Sequence, residues 1–224
     1  MYWIFPPAVI IAYLFGSVPF GLLIARAHGK DLRKIGSGNI GATNVSRALG
    51  RKWAYICFLL DVLKGFIPTI GILLIVKPMS APSHFDRVLM LWLWLAVGCS
   101  AILGHIFPIY LKFKGGKGVS TSFGVALGFW PYFSFCAVVS FVVWIAVVYV
   151  WRYVYLASMA ASIAFLLTLV SAIIVIPDWK FTELWPLVVA AAAIPLMVVI
   201  RHRENIGRIK AGTEGKILTK KRKK

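Results

Sequence analysis

The sequence predicts an all-α integral membrane protein with seven transmembrane helices, and three observations carry that reading. The 224 residues are 60% hydrophobic and only 14% charged, with mean hydropathy +0.85, whereas a soluble domain carries about 25% charged residues. Apolar runs that reach the roughly 20 residues a helical span requires recur along the chain. Finally, 25 Lys and Arg stand against 7 Asp and Glu, a net charge of +18. That excess must lie outside the hydrocarbon, facing phosphates of lipid, of substrate, or of both. A water-soluble globule is excluded.

The spans fall at about residues 3–25, 53–76, 88–111, 117–129, 132–150, 153–176 and 181–200. The first lacks the basic leader of a cleaved signal and runs on into a basic loop, so it is read as a retained span. From Val119 to Val150 the apolar stretch is too long for one helix across roughly 30 Å of hydrocarbon. Gly128-Phe129-Trp130-Pro131 in its middle reads as a turn, leaving a rather short fourth span before it. Charge counting supports the split. One side then receives seven basic residues in Arg26–Lys52, three in Lys112–Lys117, Arg152, and ten from Arg201 onward, 21 of the 25. The other side holds only Lys77, Arg87 and Lys180, while Lys64 lies within a span. By the positive-inside rule the N-terminus is outside and the C-terminus cytoplasmic. The chain is read as one membrane-embedded domain over residues 1–224, without repeats. Lys220–Lys224 is a solvated tail near anionic lipid, not a nucleic-acid arm. Cys57, Cys99 and Cys136 lie far apart in apolar runs and read as small buried hydrophobes.

The polar chemistry gathers in three cytoplasmic segments. In the first, Gly36-Ser-Gly-Asn-Ile-Gly-Ala-Thr-Asn-Val-Ser-Arg47, the glycines at 36, 38 and 41 match G-x-G-x-x-G. A dinucleotide fold would need a preceding strand and an acidic residue ~20 positions on within a βαβ unit; here a membrane span precedes the motif. The shared physics survives, because glycines let backbone N–H groups approach phosphate oxygens. Ser37, Gly38, Asn39, Gly41 and Asn44 are the expected anion contacts, with Arg47 adding a bidentate charge. A bare Gly/Asn turn between two helices is the plainer alternative, but it needs no arginine and fewer donors.

In the second segment, Gly115-Gly116-Lys117-Gly118 resembles a phosphate loop. Nucleotide hydrolysis is not indicated, since a P-loop would require Gly at 111 and Ser or Thr at 118, where Leu111 and Gly118 stand. What remains is a glycine nest beside Lys117 at the positive end of a helix. Simple anchoring by positive charge would explain the lysines but not the three glycines around one of them. His105, just upstream, reads equally as an interhelical hydrogen-bonding residue or a catalytic one. In the third segment, His202 and Asn205 share a face if the last helix continues, although a basic helix end with a capping glycine would look similar. Asp61 and Lys64 lie inside a span at i, i+3; they can pair, and are read as a charge pair bracing the bundle near the site.

With these segments in hand, the chain resembles a bacterial family, the acyl-phosphate-dependent glycerol-3-phosphate acyltransferases (PlsY type). Three signatures carry the resemblance in order: GSGNIGATNVSRALG at 36–50, GHIFPIYLKFKGGKGV at 104–119 and HRENIGRIKAGTEGK at 202–216. It implies a seven-helix enzyme that transfers an acyl chain from acyl phosphate to the 1-hydroxyl of glycerol 3-phosphate. The products are lysophosphatidate and phosphate, in phospholipid biosynthesis. Residue by residue it implies contacts at Ser37, Arg47, Lys117, His202 and Asn205, and a structural carboxylate at Glu214. One departure is Tyr155, which stands where the family often has a serine entering the sixth span.

No Ser-His-Asp or Cys-His arrangement is readable, so no acyl-enzyme is expected, and neither a cofactor nor a metal. An acyl phosphate is already activated, and orienting the hydroxyl and neutralising charge remain to be done. The base is either His202 or a substrate phosphate, whose second pKa near 6 suits the task. The basic face also suits a transient soluble partner that synthesises acyl phosphate. Two other functions compete. An acyl-CoA-dependent acyltransferase of the H-x-x-x-x-D type is disfavoured because Arg33, Leu89, Tyr110 and Gly207 follow the four histidines at that spacing. An organic-phosphate transporter would place its site near the midplane and often shows repeated halves, which are not evident here.

Overall fold

The computed structural model describes residues 2–77, 81 and 83–211. Among them there is no strand, and the chain divides into two compact units, Met1–Ser134 and Phe135–Lys224. Glu214, the expected structural carboxylate, and the basic tail lie outside the described residues.

The first unit opens with α1 (Phe5–Gly16) and α2 (Phe20–Ala27), followed by a loop and the short α3 (Ala42–Leu49). The long α4 (Arg51–Val76), α5 (His84–Ile106) and α6 (Val119–Gly128) complete it. α7 (Tyr132–Trp151) starts three residues before the second unit, which consists of the rest of that helix and of α8 (Val154–Val175), α9 (Phe181–Arg201) and α10 (Arg203–Lys210). Among the described residues six stretches are long and apolar enough to cross a membrane: Tyr2–Ala27, Arg51–Val76, His84–Leu111, Tyr132–Trp151, Val154–Val175 and Phe181–Ile200. Large apolar side chains such as Ile11, Tyr55, Leu74, Val142 and Ile174 are exposed along them, as a hydrocarbon solvent allows.

The first and third expected spans recur as apolar stretches, but inside three of the expected spans the helix itself has a different extent. The first span is not one helix, because Pro19 has no N–H to give the ladder and the chain breaks at Ser17–Pro19. Nor does the third run helically to residue 111. It ends at Ile106, before Pro108, and a 3₁₀ turn covers Ile109–Leu111. The fourth begins at Val119 rather than 117 and is only 10 residues long, about 15 Å at 1.5 Å per residue. The split at Gly128–Pro131 is present, with α6 ending at Gly128 and α7 starting at Tyr132.

Glycine sets how closely the helices of the first unit approach, as expected where lipid removes the ordinary hydrophobic drive between them. A Cβ added to Gly124 of α6 would overlap the Val62 carbonyl of α4, and one on Gly65 would overlap the Thr121 carbonyl in return. At Gly128 an added Cβ would lie 2.7 Å from Thr69 Cβ. Both helices run antiparallel to α5, where Ile106 meets Gly118 and Gly98 meets Val125 on one side, and His105 faces Asp61 and Trp94 meets Thr69 on the other. So α6 runs alongside α4 in the same direction, its first turn against Gly65. Trp94 of α5 closes the far end of this trio. Fully buried, it donates from Nε1 to the Thr69 carbonyl at 2.8 Å and stacks on Phe129 with ring centroids 4.2 Å apart. A second core sits below, where Leu22, Ala25, Leu32, Ile40, Val45, Ala48 and Cys57 pack α2 and α3 onto the start of α4. That small core is the floor of the first glycine loop.

Candidate active site

The first loop is built around a buried amide. Gly36 and Gly38 adopt φ of +57° and +68°, which glycine alone takes without strain. The chain then folds back over Asn44, whose Nδ2 faces the carbonyls of Leu32, Ile35 and Asn39 at 3.0, 2.9 and 2.9 Å. Its Oδ1 accepts the Ser37 N–H at 3.2 Å. Asn44 was expected to touch an anion; instead its hydrogen-bonding capacity is taken up in shaping the loop. Two further N–H groups are also used internally, Gly38 on the Ile35 carbonyl at 3.1 Å and Gly41 on Asn39 Oδ1 at 2.9 Å. What the segment can offer an anion is therefore the Ser37 hydroxyl, the exposed Arg47 and the leading N–H groups of α3. Arg47 rises past Gly36, where an added Cβ would lie 3.1 Å from its Cδ.

The second loop folds back onto the end of α5. Lys112 and Phe113 take left-handed φ of +52° and +60° and reverse the chain. The Gly115 N–H then donates to the Ile106 carbonyl at 3.1 Å and the Gly116 N–H to the His105 carbonyl at 3.0 Å. These two glycines, expected to cradle phosphate through their N–H groups, serve instead to lay the loop flat against α5. A side chain on Gly115 would overlap the His105 carbonyl. Gly118, at φ +85°, starts α6, and the orphan N–H groups of that helix's first turn follow the half-buried Lys117 directly. Thr121, in the same turn, has its Oγ1 buried without a hydrogen-bond partner. The structure joins the two loops, since Arg33 Nη2 donates to the Lys114 carbonyl at 3.3 Å. Within the first unit, two cations thus stand over the two joined loops: Arg47, from the last turn of α3, with its side chain passing Gly36, and Lys117, just before the first turn of α6.

Asp61 and Lys64 pair at 2.9 Å with both side chains buried. Lys64 Nζ also donates to the Val18 carbonyl at 2.9 Å, which lies in the break between α1 and α2 and also accepts from the Phe20 N–H at 3.1 Å. Sequence reading found neither this link nor the Arg33–Lys114 one. Pro19 was the available signal for the first; backbone acceptors leave none for the second.

In the second unit, the helix does not continue through the third signature: α9 ends at Arg201 and α10 starts at Arg203, with His202 between them at φ −109°, ψ 9°. His202 and Asn205 are nonetheless both buried. His202 Nδ1 lies 2.8 Å from the Val198 carbonyl. A carbonyl can only accept, so Nδ1 carries the proton. Tyr155, in the first turn of α8, packs on Tyr153 with centroids 5.8 Å apart. Among the described residues no three His, Cys, Asp or Glu side chains group as a metal site.

The family model for "Glycerol-3-phosphate acyltransferase" matches residues 7–212. A glycerol-3-phosphate acyltransferase of Aquifex aeolicus is 43% identical over 92% of this chain and 95% of its own. One from Geobacter sulfurreducens is 42% identical over 92% and 94%. Among solved structures, PlsY (YgiH), an integral membrane glycerol 3-phosphate acyltransferase in its glycerol 3-phosphate form, superposes with a TM-score of 0.79 at 39% identity, over 95% of both chains. Its lysophosphatidic acid form gives 0.77 at 38%. A match that runs through all three glycine-, cation- and histidine-bearing segments, and through the helices that carry them, places this chain in the glycerol-3-phosphate acyltransferase family.

Proposed function

We propose that this protein transfers an acyl chain from acyl phosphate to the 1-hydroxyl of glycerol 3-phosphate in the cytoplasmic membrane of a bacterium, giving lysophosphatidate and inorganic phosphate. The observation that carries the reading is the pair of cations on joined loops, Arg47 passing Gly36 and Lys117 leading into α6. Two phosphate-bearing substrates require such positive charge. Relatives named for glycerol 3-phosphate, and a solved one in its glycerol 3-phosphate form, support the acceptor.

In this scheme Arg47, Ser37 and the start of α3, together with Lys117 and the start of α6, supply one positive field for both substrate phosphates, so each cation acts on glycerol 3-phosphate. Gly36, Gly38, Asn39, Gly41 and Asn44 shape the first loop, and Gly115, Gly116 and Gly118 the second. The acceptor hydroxyl oxygen attacks the acyl carbonyl carbon. A carbon–oxygen bond forms there as the bond from that carbon to the phosphate oxygen breaks. His202 and Asn205 position a substrate phosphate, which takes the hydroxyl proton; the departing phosphate is neutralised by the loop cations. No acyl-enzyme, cofactor or metal enters. The short α6 acts as the fourth of seven crossings, with the N-terminus outside. Its run alongside α4 supports this, since α7 then returns the chain. A soluble acyl-phosphate-making enzyme delivers the donor to the basic cytoplasmic face.

The test uses purified protein in mild detergent with labelled glycerol 3-phosphate and either acyl phosphate or acyl-CoA. Lysophosphatidate from acyl phosphate alone, lost in Lys117→Ala, is the expected result. Product from acyl-CoA alone overturns the donor, and label accumulating in sealed vesicles without product makes the protein a transporter.

A further inference from the structure

The transfer scheme gives no task to His105, although its surroundings are specific. The imidazole is buried on α5. Its Nδ1 lies 3.7 Å from Asp61 Oδ1, the same oxygen that holds Lys64 Nζ at 2.9 Å. At 3.7 Å the contact is electrostatic rather than a hydrogen bond. The Cys57 thiol faces the other carboxylate oxygen, Oδ2, at 3.8 Å. Asp61 is therefore pinned from α4 itself, and Lys64 is pinned in turn by the Val18 carbonyl.

The opposite edge of the ring meets the second loop. A Cβ added to Gly116 would overlap His105 Nε2 and lie 2.9 Å from Cε1 and 3.0 Å from Cδ2. Gly116 has no left-handed φ to explain its glycine, so what excludes a side chain is the imidazole. The Gly116 N–H also donates to the His105 carbonyl, so the loop is seated on this one residue by backbone and by ring. A charge pair that only braced helices would need neither the histidine nor a glycine opposite it.

We propose that His105 is a positioning residue for the anion loop. Asp61 and Lys64 fix the imidazole, whose Nε2 edge seats Gly116 and thereby sets Lys117 beside the first turn of α6. The effect rests on the anion-site reading of Lys117, not on the identity of the acyl donor.

His105→Asn and His105→Gln separate the two edges of the ring. The Asn amide reaches the place of Nδ1 and keeps the approach to Asp61 but abandons Gly116; the Gln amide reaches the place of Nε2 and keeps the loop's seat. Glycerol 3-phosphate affinity is measured by calorimetry on the full-length purified variants, with turnover recorded alongside and thermal unfolding as the folding control. Partners that act behind a ligand-binding group shift affinity by about 10–100-fold. His105→Asn is expected to lose affinity on that scale, and His105→Gln to restore most of it. In a double-mutant cycle, His105→Asn adds nothing to the loss in Lys117→Ala, yet multiplies with the loss in Arg47→Ala.

The proposal is overturned if His105→Asn binds within about twofold of the unmodified protein, if Asn is tolerated better than Gln, or if the loss multiplies with Lys117→Ala. Should His105→Asn not fold, Gly116→Ala, which pushes on the same ring edge, takes its place in the cycle under the same criteria. An unmodified protein that binds glycerol 3-phosphate but forms no product defeats the transfer reading alone, and the cycle is still read on affinity. Failure to bind glycerol 3-phosphate at all defeats both.

Discussion

Lys64→Met removes one charge from a pair that the fold has sealed from solvent, and its cost can be worked from the geometry. Nζ and Oδ1 are 2.9 Å apart with side chains only 1% and 3% exposed. At an effective dielectric of 20, two unit charges at that separation attract by about 6 kcal/mol. Much of that attraction offsets the desolvation of both ions, so the pair as a whole contributes little, but removing one partner strands the other at a cost of about 3–5 kcal/mol. On the scale of soluble proteins of this size, about 2–4 °C per kcal/mol, the midpoint of thermal unfolding should fall by about 6–20 °C. The double variant Asp61→Asn/Lys64→Met leaves no stranded charge. It should recover most of the loss, remaining about 1 kcal/mol short because the Val18 carbonyl has lost one of its two donors. The assay is differential scanning fluorimetry of the purified proteins in one detergent at one concentration. A Lys64→Met midpoint within about 2 °C of the unmodified protein would refute the reasoning, as would a double variant less stable than the single one.

Asn44→Ala should loosen the first loop locally, because the carbonyls of Leu32, Ile35 and Asn39 and the Ser37 N–H each lose a partner, at about 0.5–1.5 kcal/mol net per hydrogen bond. Limited proteolysis between α2 and α3 should accelerate, with activity lost. Arg47→Lys keeps the charge but not the bidentate fork, so KM for glycerol 3-phosphate should rise about tenfold with a smaller change in kcat; an unchanged KM would remove Arg47 from the anion site. Gly124→Leu forces α4 and α6 apart at backbone level, and displacement of the α6 terminus by about 1 Å should cost about 10²-fold in turnover. Exhaustive chelation should leave activity intact, since the charge neutralisation assigned here belongs to Arg47 and Lys117; loss restored by Mg²⁺ would contradict that. Cysteines placed at Asp178 and at Arg203 should react with a membrane-impermeant maleimide from opposite sides of sealed vesicles, and labelling from the same side would refute the seven-span topology.

Much of the fold is legible because the bilayer is a severe solvent: it demands long apolar runs and sorts charge to the ends. The turn at Gly128–Pro131 is visible for the same reason, as an apolar stretch too long for one crossing. What escaped are places where a helix breaks without leaving the hydrocarbon. Residues 17–19 are as apolar as a span, and hydropathy carries no record that the helix breaks there and that Lys64 meets the Val18 carbonyl. His202 is similar, since i, i+3 spacing reads the same through a one-residue break. In the site, residue types and their grouping were legible, while the allocation of their hydrogen bonds was not. Asn44 and Ser37 look alike as donors in sequence; only burial decides that one amide is consumed by four backbone groups while the hydroxyl stays at the surface.

That allocation changes what a glycine-rich anion site means in this chain. Glycine N–H groups at 38, 41, 115 and 116 are all spent on internal acceptors, so the loops are not themselves the cradle. They are tight supports that hold two helix N-termini and two cations in place, and preorganisation of that kind is what phosphate-leaving chemistry needs. The donor dipoles are fixed before substrate arrives, and a loop already satisfied internally does not have to reorganise as charge moves onto the departing phosphate. It follows that substitutions which loosen a loop without touching a cation, such as Gly38→Ala at its left-handed φ, should lower turnover more than they weaken ground-state binding. A Gly38→Ala variant in which KM rises while kcat holds would assign the glycines to direct phosphate contact instead.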